Sequence, residues 1–145
     1  MVHAQAITSI SEASLIAVAE PNESAALVVR QRFGNILRTI DEVALSDDVD
    51  AVVICTPTNT HADLIERFSR TRKAIFCEKP IDLNLNRVRQ CLKTVYETET
   101  TLMVGFNRRF DPDFQSLKAT IVSGEIGNIE MVTIISRDPL SLIHI

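Results

Sequence analysis

Residues 73–80 read Lys73, Ala74, Ile75, Phe76, Cys77, Glu78, Lys79, Pro80, an apolar run that stops on an acid, a base and a proline. Apolar residues in an unbroken short run, bounded by polar ones, predict a buried strand. Open α/β sheets bind ligands at the carboxyl ends of their strands, which is where this run would deliver a carboxylate and an ammonium. Pro80 cannot extend a ladder and biases Lys79 toward an extended backbone, so Glu78 and Lys79 stand at the sheet edge. The same residues also read as a solvated salt bridge after a strand, and the stretch alone leaves both readings open.

Working outward, residues 51–55 (AVVIC) form a second apolar run, closed by Thr56 and Pro57 and expected to be a strand covered on both faces. Thr60 followed by Asp63 predicts a capping box for a helix whose Ala62, Ile65 and Phe68 share one side. Leu85, Val88, Leu92 and Val95 then make a helical stripe, and residues 101–104 a further strand. Upstream, residues 13–19 (ASLIAVA) read as a strand ending on Glu20. A helix carrying Ala25, Ala26, Val29 and Phe33 follows and stops at Gly34. Residues 36–38 read as a short strand and 41–45 as a short helix capped by Asp41.

Strands alternating with helices every ~30 residues predict an α/β domain with a doubly wound parallel sheet and right-handed crossovers. Past Gly105 the texture changes. Phe110, Phe114, Leu117 and Ile121 suit a helix, Ser123 and Gly124 a stop, and residues 129–135 a longer strand. The reading is therefore a first domain over 1–106 and the start of a second over 107–145.

The chain's 145 residues, 46% of them hydrophobic, suffice to bury a real core. A net charge of -4 argues against a grip on nucleic acid or an anionic membrane, and Arg67, Arg70, Arg72 and Lys73 read as a solvated face. Cys55, Cys77 and Cys91 show neither metal-site spacing nor the even count of a disulfide framework, so they read as reduced thiols and no metal is expected. No apolar stretch approaches the ~20 residues of a membrane span, and the N-terminus lacks a signal-peptide pattern. A soluble, cytoplasmic chain is the expectation.

Several residues could carry chemistry. Glu20, at a strand end, could accept hydrogen bonds from ribose hydroxyls in a dinucleotide-binding fold and would repel a 2'-phosphate, favouring NAD over NADP; it equally suits a turn before a helix. Thr56, Pro57, Thr58, Asn59, Thr60 and His61 make a small polar loop that could approach a cofactor or merely cap the next helix. Arg108 and Arg109, between Phe106 and Phe110, could fork onto a polyol, carboxylate or phosphate, or be surface cations. No Gly-rich phosphate loop or serine nucleophile elbow is present in the sequence.

Glu20, TPTNTH (56–61), FCEKP (76–80) and GFNRRFDP (105–112) fall in order on four successive strand ends, and together they resemble the Gfo/Idh/MocA oxidoreductases, most closely the inositol-oxidising branch. The resemblance covers roughly residues 2–139. It implies an N-terminal Rossmann domain, a C-terminal α+β domain on a large open sheet, and oxidation of a sugar or cyclitol hydroxyl with NAD or NADP. By that resemblance Lys79 is catalytic, beside the nicotinamide and the reacting hydroxyl, and Glu78 lies against the nicotinamide ribose. Thr56, Pro57, Thr58 and His61 would line the cofactor, and Arg108 and Asn107 would meet the substrate. Dehydrogenation of another sugar or a dihydrodiol, and a catalytically silent dinucleotide-binding module, stay open beside inositol oxidation. A homo-oligomeric parent protein is expected.

Val2, His3 and Ala4 resemble the stretch just after the family's Gly-rich turn, so the chain is expected to start inside the first Rossmann helix, without the first strand. The family's downstream Asp and His have no counterpart, His144 is not a substitute for them, and residues 140–145 (LSLIHI) read as a foreign tail. The expectation is an inactive, marginally stable fragment. In it the strand ending at Glu20 would either pair directly with residues 51–55 or pack poorly.

Overall fold

The computed structural model describes residues 2–135; His144 and the tail at 140–145 lie outside the described residues. The chain divides into two compact units, one running to Phe106 and one beginning at Asn107. In the first, β1 (Ala51–Ile54), β2 (Ala74–Cys77) and β3 (Leu102–Val104) form a parallel sheet in sequence order. Ile54 stands opposite Cys77, and Cys77 opposite Val104. The crossovers are α4 (His61–Arg70) and α5 (Leu85–Glu97). This is the expected Rossmann-like α/β architecture with a parallel sheet.

The core forms where α4 meets the sheet: Ala62, Ile65 and Phe68 pack with Val52, Ile54, Ile75 and Cys77, and α5 adds Cys91. The strands are covered well on one face only, contrary to the expectation for residues 51–55. Val53 is 40% exposed and Met103 42%, because successive side chains alternate faces and the core gathers Val52, Ile54 and Leu102 on the other one. The opposite face meets α1 (Val2–Thr8) at Phe76, whose ring centroid lies 5.7 Å from that of His3.

Residues 13–19 do not form a ladder strand. Val18 makes a single parallel bridge with Leu37, its N–H donating to Ile36 O at 2.9 Å while Arg38 N donates to Val18 O at 3.1 Å. No bridge to β1 occurs among the described residues, so of the two expected outcomes the looser packing holds. Ala17 and Ala19 reach the core half-buried. Residues 129–135 likewise form no strand and are exposed, since a strand without a partner has no acceptors for its amides.

Helix ends follow the expected pattern in part: the turn at Glu20, Pro21 and Asn22 supplies a cap and Gly34 the stop of the next helix. Asn22 caps α2 (Glu23–Phe33) by accepting from Ala25 N. Thr39, not Asp41, caps α3 (Ile40–Leu45), in a reciprocal box with Glu42. Thr60 makes no such box, because its backbone is helical (ψ -11) where that of Thr39 is extended (ψ 162), and its hydroxyl lies 2.8 Å from Pro57 O and 2.6 Å from Thr56 Oγ1. Asp63 pairs instead with Arg87, whose guanidinium also reaches Glu66, both at 2.5 Å, tying α4 to α5. On α5 the inward side is Val88, Cys91 and Val95, with Leu85 and Leu92 exposed, a rotation of the predicted stripe.

Lys73 is not solvated. It is buried, and its Nζ donates to Ser46 O at 2.6 Å and Val49 O at 2.8 Å, holding the segment that enters β1. Arg67 pairs with Asp41. In the second unit a turn over Asn107–Phe110 precedes α6 (Pro112–Val122), capped by Asp111 with Pro112 at its first position. No helix among the described residues is long and apolar enough to cross a membrane.

Two substitutions separate a buried polar group that is used from one that is not. Lys73→Met strands two carbonyls and should cost about 2–3 kcal/mol in urea unfolding. Ser69→Ala removes a buried hydroxyl with no partner among the described residues, and should leave the midpoint unchanged or slightly raised.

Candidate functional site

The parallel register carries three chain segments to one edge. Glu78 N donates to Ile54 O at 2.9 Å and Gly105 N to Cys77 O at 2.8 Å, so Glu78 sits between the segment leaving β1 and the one leaving β3. Its carboxylate is held on both oxygens: His3 Nε2 lies 2.9 Å from Oε1, and Lys79 N donates to Oε2 at 3.2 Å. A Cβ at position 105 would come within 3.1 Å of Phe76 Cζ and 3.4 Å of Glu78 Cδ and Oε2. Glycine there is what lets the carboxylate lie flat on the edge.

Lys79 follows on the exposed rim, and among the described residues its ammonium has no hydrogen bond or ion pair. Thr56, Pro57 and Thr58 form the loop after β1, which turns tightly through Thr58–Thr60. His61 stands beneath that loop rather than on its surface. It is 2% exposed, with Nε2 2.7 Å from Thr56 O and Nδ1 2.8 Å from Pro80 O. A neutral ring donates to only one of two carbonyls; the doubly protonated ring donates to both.

Thr56, Thr58, His61, Glu78 and Lys79 are thus brought to one end of β1 and β2. Glu20 is not laddered to them: it follows the Val18 bridge, and its Oε1 accepts from Asn22 N at 2.9 Å, as a turn carboxylate does. Asn107 and Arg108 belong to the second unit. Asn107 is exposed; Arg108 pairs with Asp111 at 3.3 Å, lies 5.4 Å from the Phe114 ring centroid and lines a groove of about 640 Å³ with Arg109 and Lys118.

His3 and Gly105 were not assigned roles from sequence. Gly105 had a local signal, as a glycine directly after a strand, whereas nothing local links His3 to Glu78, 75 residues on. Among the thiols, Cys55 is exposed beside this edge, its thiol raised by partial enclosure and then by the Glu78 charge. Burial pushes buried Cys77 up to about 12 and Cys91 to about 11. No three ligating side chains cluster to hold a metal among the described residues.

Residues 1–106 match the Gfo/Idh/MocA family, described as an oxidoreductase family with an NAD-binding Rossmann fold. The chain is 58% identical over 138 residues to an inositol 2-dehydrogenase of Rhizobium meliloti, a match covering 95% of this chain and 42% of that protein. It is 36% identical over 140 residues to a myo-inositol 2-dehydrogenase of Thermotoga maritima, with the same 95% and 42% coverage. The crystal structure of a scyllo-inositol dehydrogenase from Lactobacillus casei, with bound NAD(H) and scyllo-inositol, superposes with a TM-score of 0.81 at 27% identity, covering 88% of this chain and 38% of that one. The chain therefore spans about 42% of the length of the curated relatives it matches.

Gly105→Ala should push Glu78 or Phe76 aside and lower stability by about 1–3 kcal/mol, measured by urea unfolding. In the folded protein at pH 8, Cys77 and Cys91 stay protonated and enclosed, so a disulfide reagent should modify Cys55 alone, and all three thiols once urea is added.

Proposed function

The chain belongs to the Gfo/Idh/MocA family of NAD-binding oxidoreductases, and on that premise we propose that a full-length enzyme carrying it is an NAD-dependent dehydrogenase of inositol or a related polyol. The observation that supports this best is the unpaired Lys79 ammonium on the rim beside a Glu78 carboxylate held on both oxygens. Residues present fit the two ends of a dinucleotide: Glu78 and the Thr56–Thr58 hydroxyls offer groups for the nicotinamide ribose, and Glu20, whose Oε2 has no partner among the described residues, offers it to adenosine ribose hydroxyls. That acid repels a 2'-phosphate, which favours NAD over NADP. Residues to 106 form the cofactor domain in this reading, and those from 107 begin the substrate domain, with Arg108 and Asn107 toward the polyol.

Glu78, the Thr56–Thr58 hydroxyls and Glu20 would hold NAD, whose nicotinamide would supply the acceptor for the hydride leaving the carbinol carbon. The task left to the protein is the hydroxyl proton, which must depart as the oxygen gathers negative charge. Lys79 Nζ first gives a proton to water, and the resulting amine then takes the hydroxyl proton and holds the oxygen through its N–H, while Glu78 would hold the ribose hydroxyls.

Lys79→Ala in the full-length enzyme should lower kcat with NAD and myo-inositol by about 10²–10⁴ while leaving NAD affinity within about threefold. Undiminished turnover would overturn the assignment, and a panel of other polyols and sugars in the same assay reads the substrate class.

A further inference from the structure

We propose that His61 is a positioning residue that sets Lys79 in its working place by tying the loop after β1 to the turn after β2, an inference that rests on Lys79 being the catalytic group. The imidazole is a rigid plate whose two nitrogens lie against carbonyls 24 residues apart in the chain, those of Thr56 and Pro80, at 2.7 and 2.8 Å. Pro80 directly follows Lys79, so holding the Pro80 carbonyl holds the end of the peptide that presents the ammonium.

His61 is itself anchored. It opens α4, whose Ala62, Ile65 and Phe68 are core residues, so the plate is fixed to the most buried part of the fold. Among the described residues no other side chain of the loop after β1 hydrogen-bonds to the 78–80 turn; Glu78 is held separately, by His3 from α1. The exposed lysine therefore has one neighbour, Glu78, steadied by α1, and the other, Pro80, steadied through His61. Buried at 2% with both nitrogens committed to backbone, His61 reaches a ligand only through the groups it orients. A displacement of ~1 Å in a reacting group is enough to cost on the order of 10²-fold in rate.

The test is a four-enzyme cycle in the full-length holoenzyme: wild type, His61→Gln, Lys79→Ala and the double variant, read by kcat and polyol KM, by NAD affinity from fluorescence and by thermal midpoint. Glutamine keeps a donor for one of the two carbonyls. His61→Gln should lower kcat about 10–100-fold with NAD affinity and polyol KM within about threefold. In the Lys79→Ala background the same substitution should change kcat by less than about twofold, because the group it positions is gone. An equal fall in both backgrounds would overturn the positioning role while leaving the dehydrogenase reading intact, and so would an unchanged kcat in His61→Gln. Full activity of Lys79→Ala alone would overturn the reading and this inference together. Should the glutamine variant fail to fold, His61→Asn, which also keeps one donor, carries the same comparison.

Discussion

Parallel strands cannot be joined by tight turns, because each chain segment must climb back to the edge where it began before the next strand can start. That requirement brings every carboxyl end to the same side of the sheet, and here it gathers Thr56, Glu78 and Gly105 from three distant parts of the chain. The hydrogen bonds from Glu78 N to Ile54 O and from Gly105 N to Cys77 O are where the ladder ends and the site begins. Everything functional in the first unit hangs from those last rungs, including the close approach that only a glycine at 105 permits.

The polar groups divide by what they are joined to. Buried Lys73 donates to two backbone carbonyls, and buried His61 sets its two ring nitrogens against two more, which holds chain segments in place without a buried ion pair. Arg87 links α4 to α5 through two carboxylates, and Arg67 reaches Asp41 on α3. Lys79 follows the opposite rule: its backbone is secured on either side, and its side chain is left exposed. A secured peptide leaves the conformational search to the side chain alone, whose ammonium has no partner among the described residues.

Much of the fold was legible because its signals are local. Residues 51–55, 74–77 and 101–104 stand out as short apolar runs ending on polar or turn residues, and Asn22 and Gly34 mark the ends of one helix through a side chain or backbone freedom acting within four residues. The misreadings arose where two local signals compete. Thr39 and Thr60 each precede an acid by three residues, yet only Thr39 closes the box, since its backbone is extended whereas Thr60, ending the tight turn Thr58–Thr60, is already helical. Residues 13–19 have the composition of a strand and no ladder partner, which composition cannot report. At the site, Glu78 and Lys79 were readable from their place after a strand, whereas His61 looked like part of the loop surface and is buried beneath it.

By itself the sequence determined the alternation of strand and helix over residues 51–104, the parallel α/β class and which side chains follow those three strands, because run length, helical spacing and proline or glycine stops act over a few residues. Only the tertiary structure decided which face of the sheet is covered, which threonine caps a helix, that Lys73 is buried, and that His3 and His61 hold the turn carrying Lys79. Those outcomes depend on acceptors lying 75 residues from His3, 19 from His61 and 24 or more from Lys73, and a hydrogen bond over such distances exists only once packing has brought its partners together.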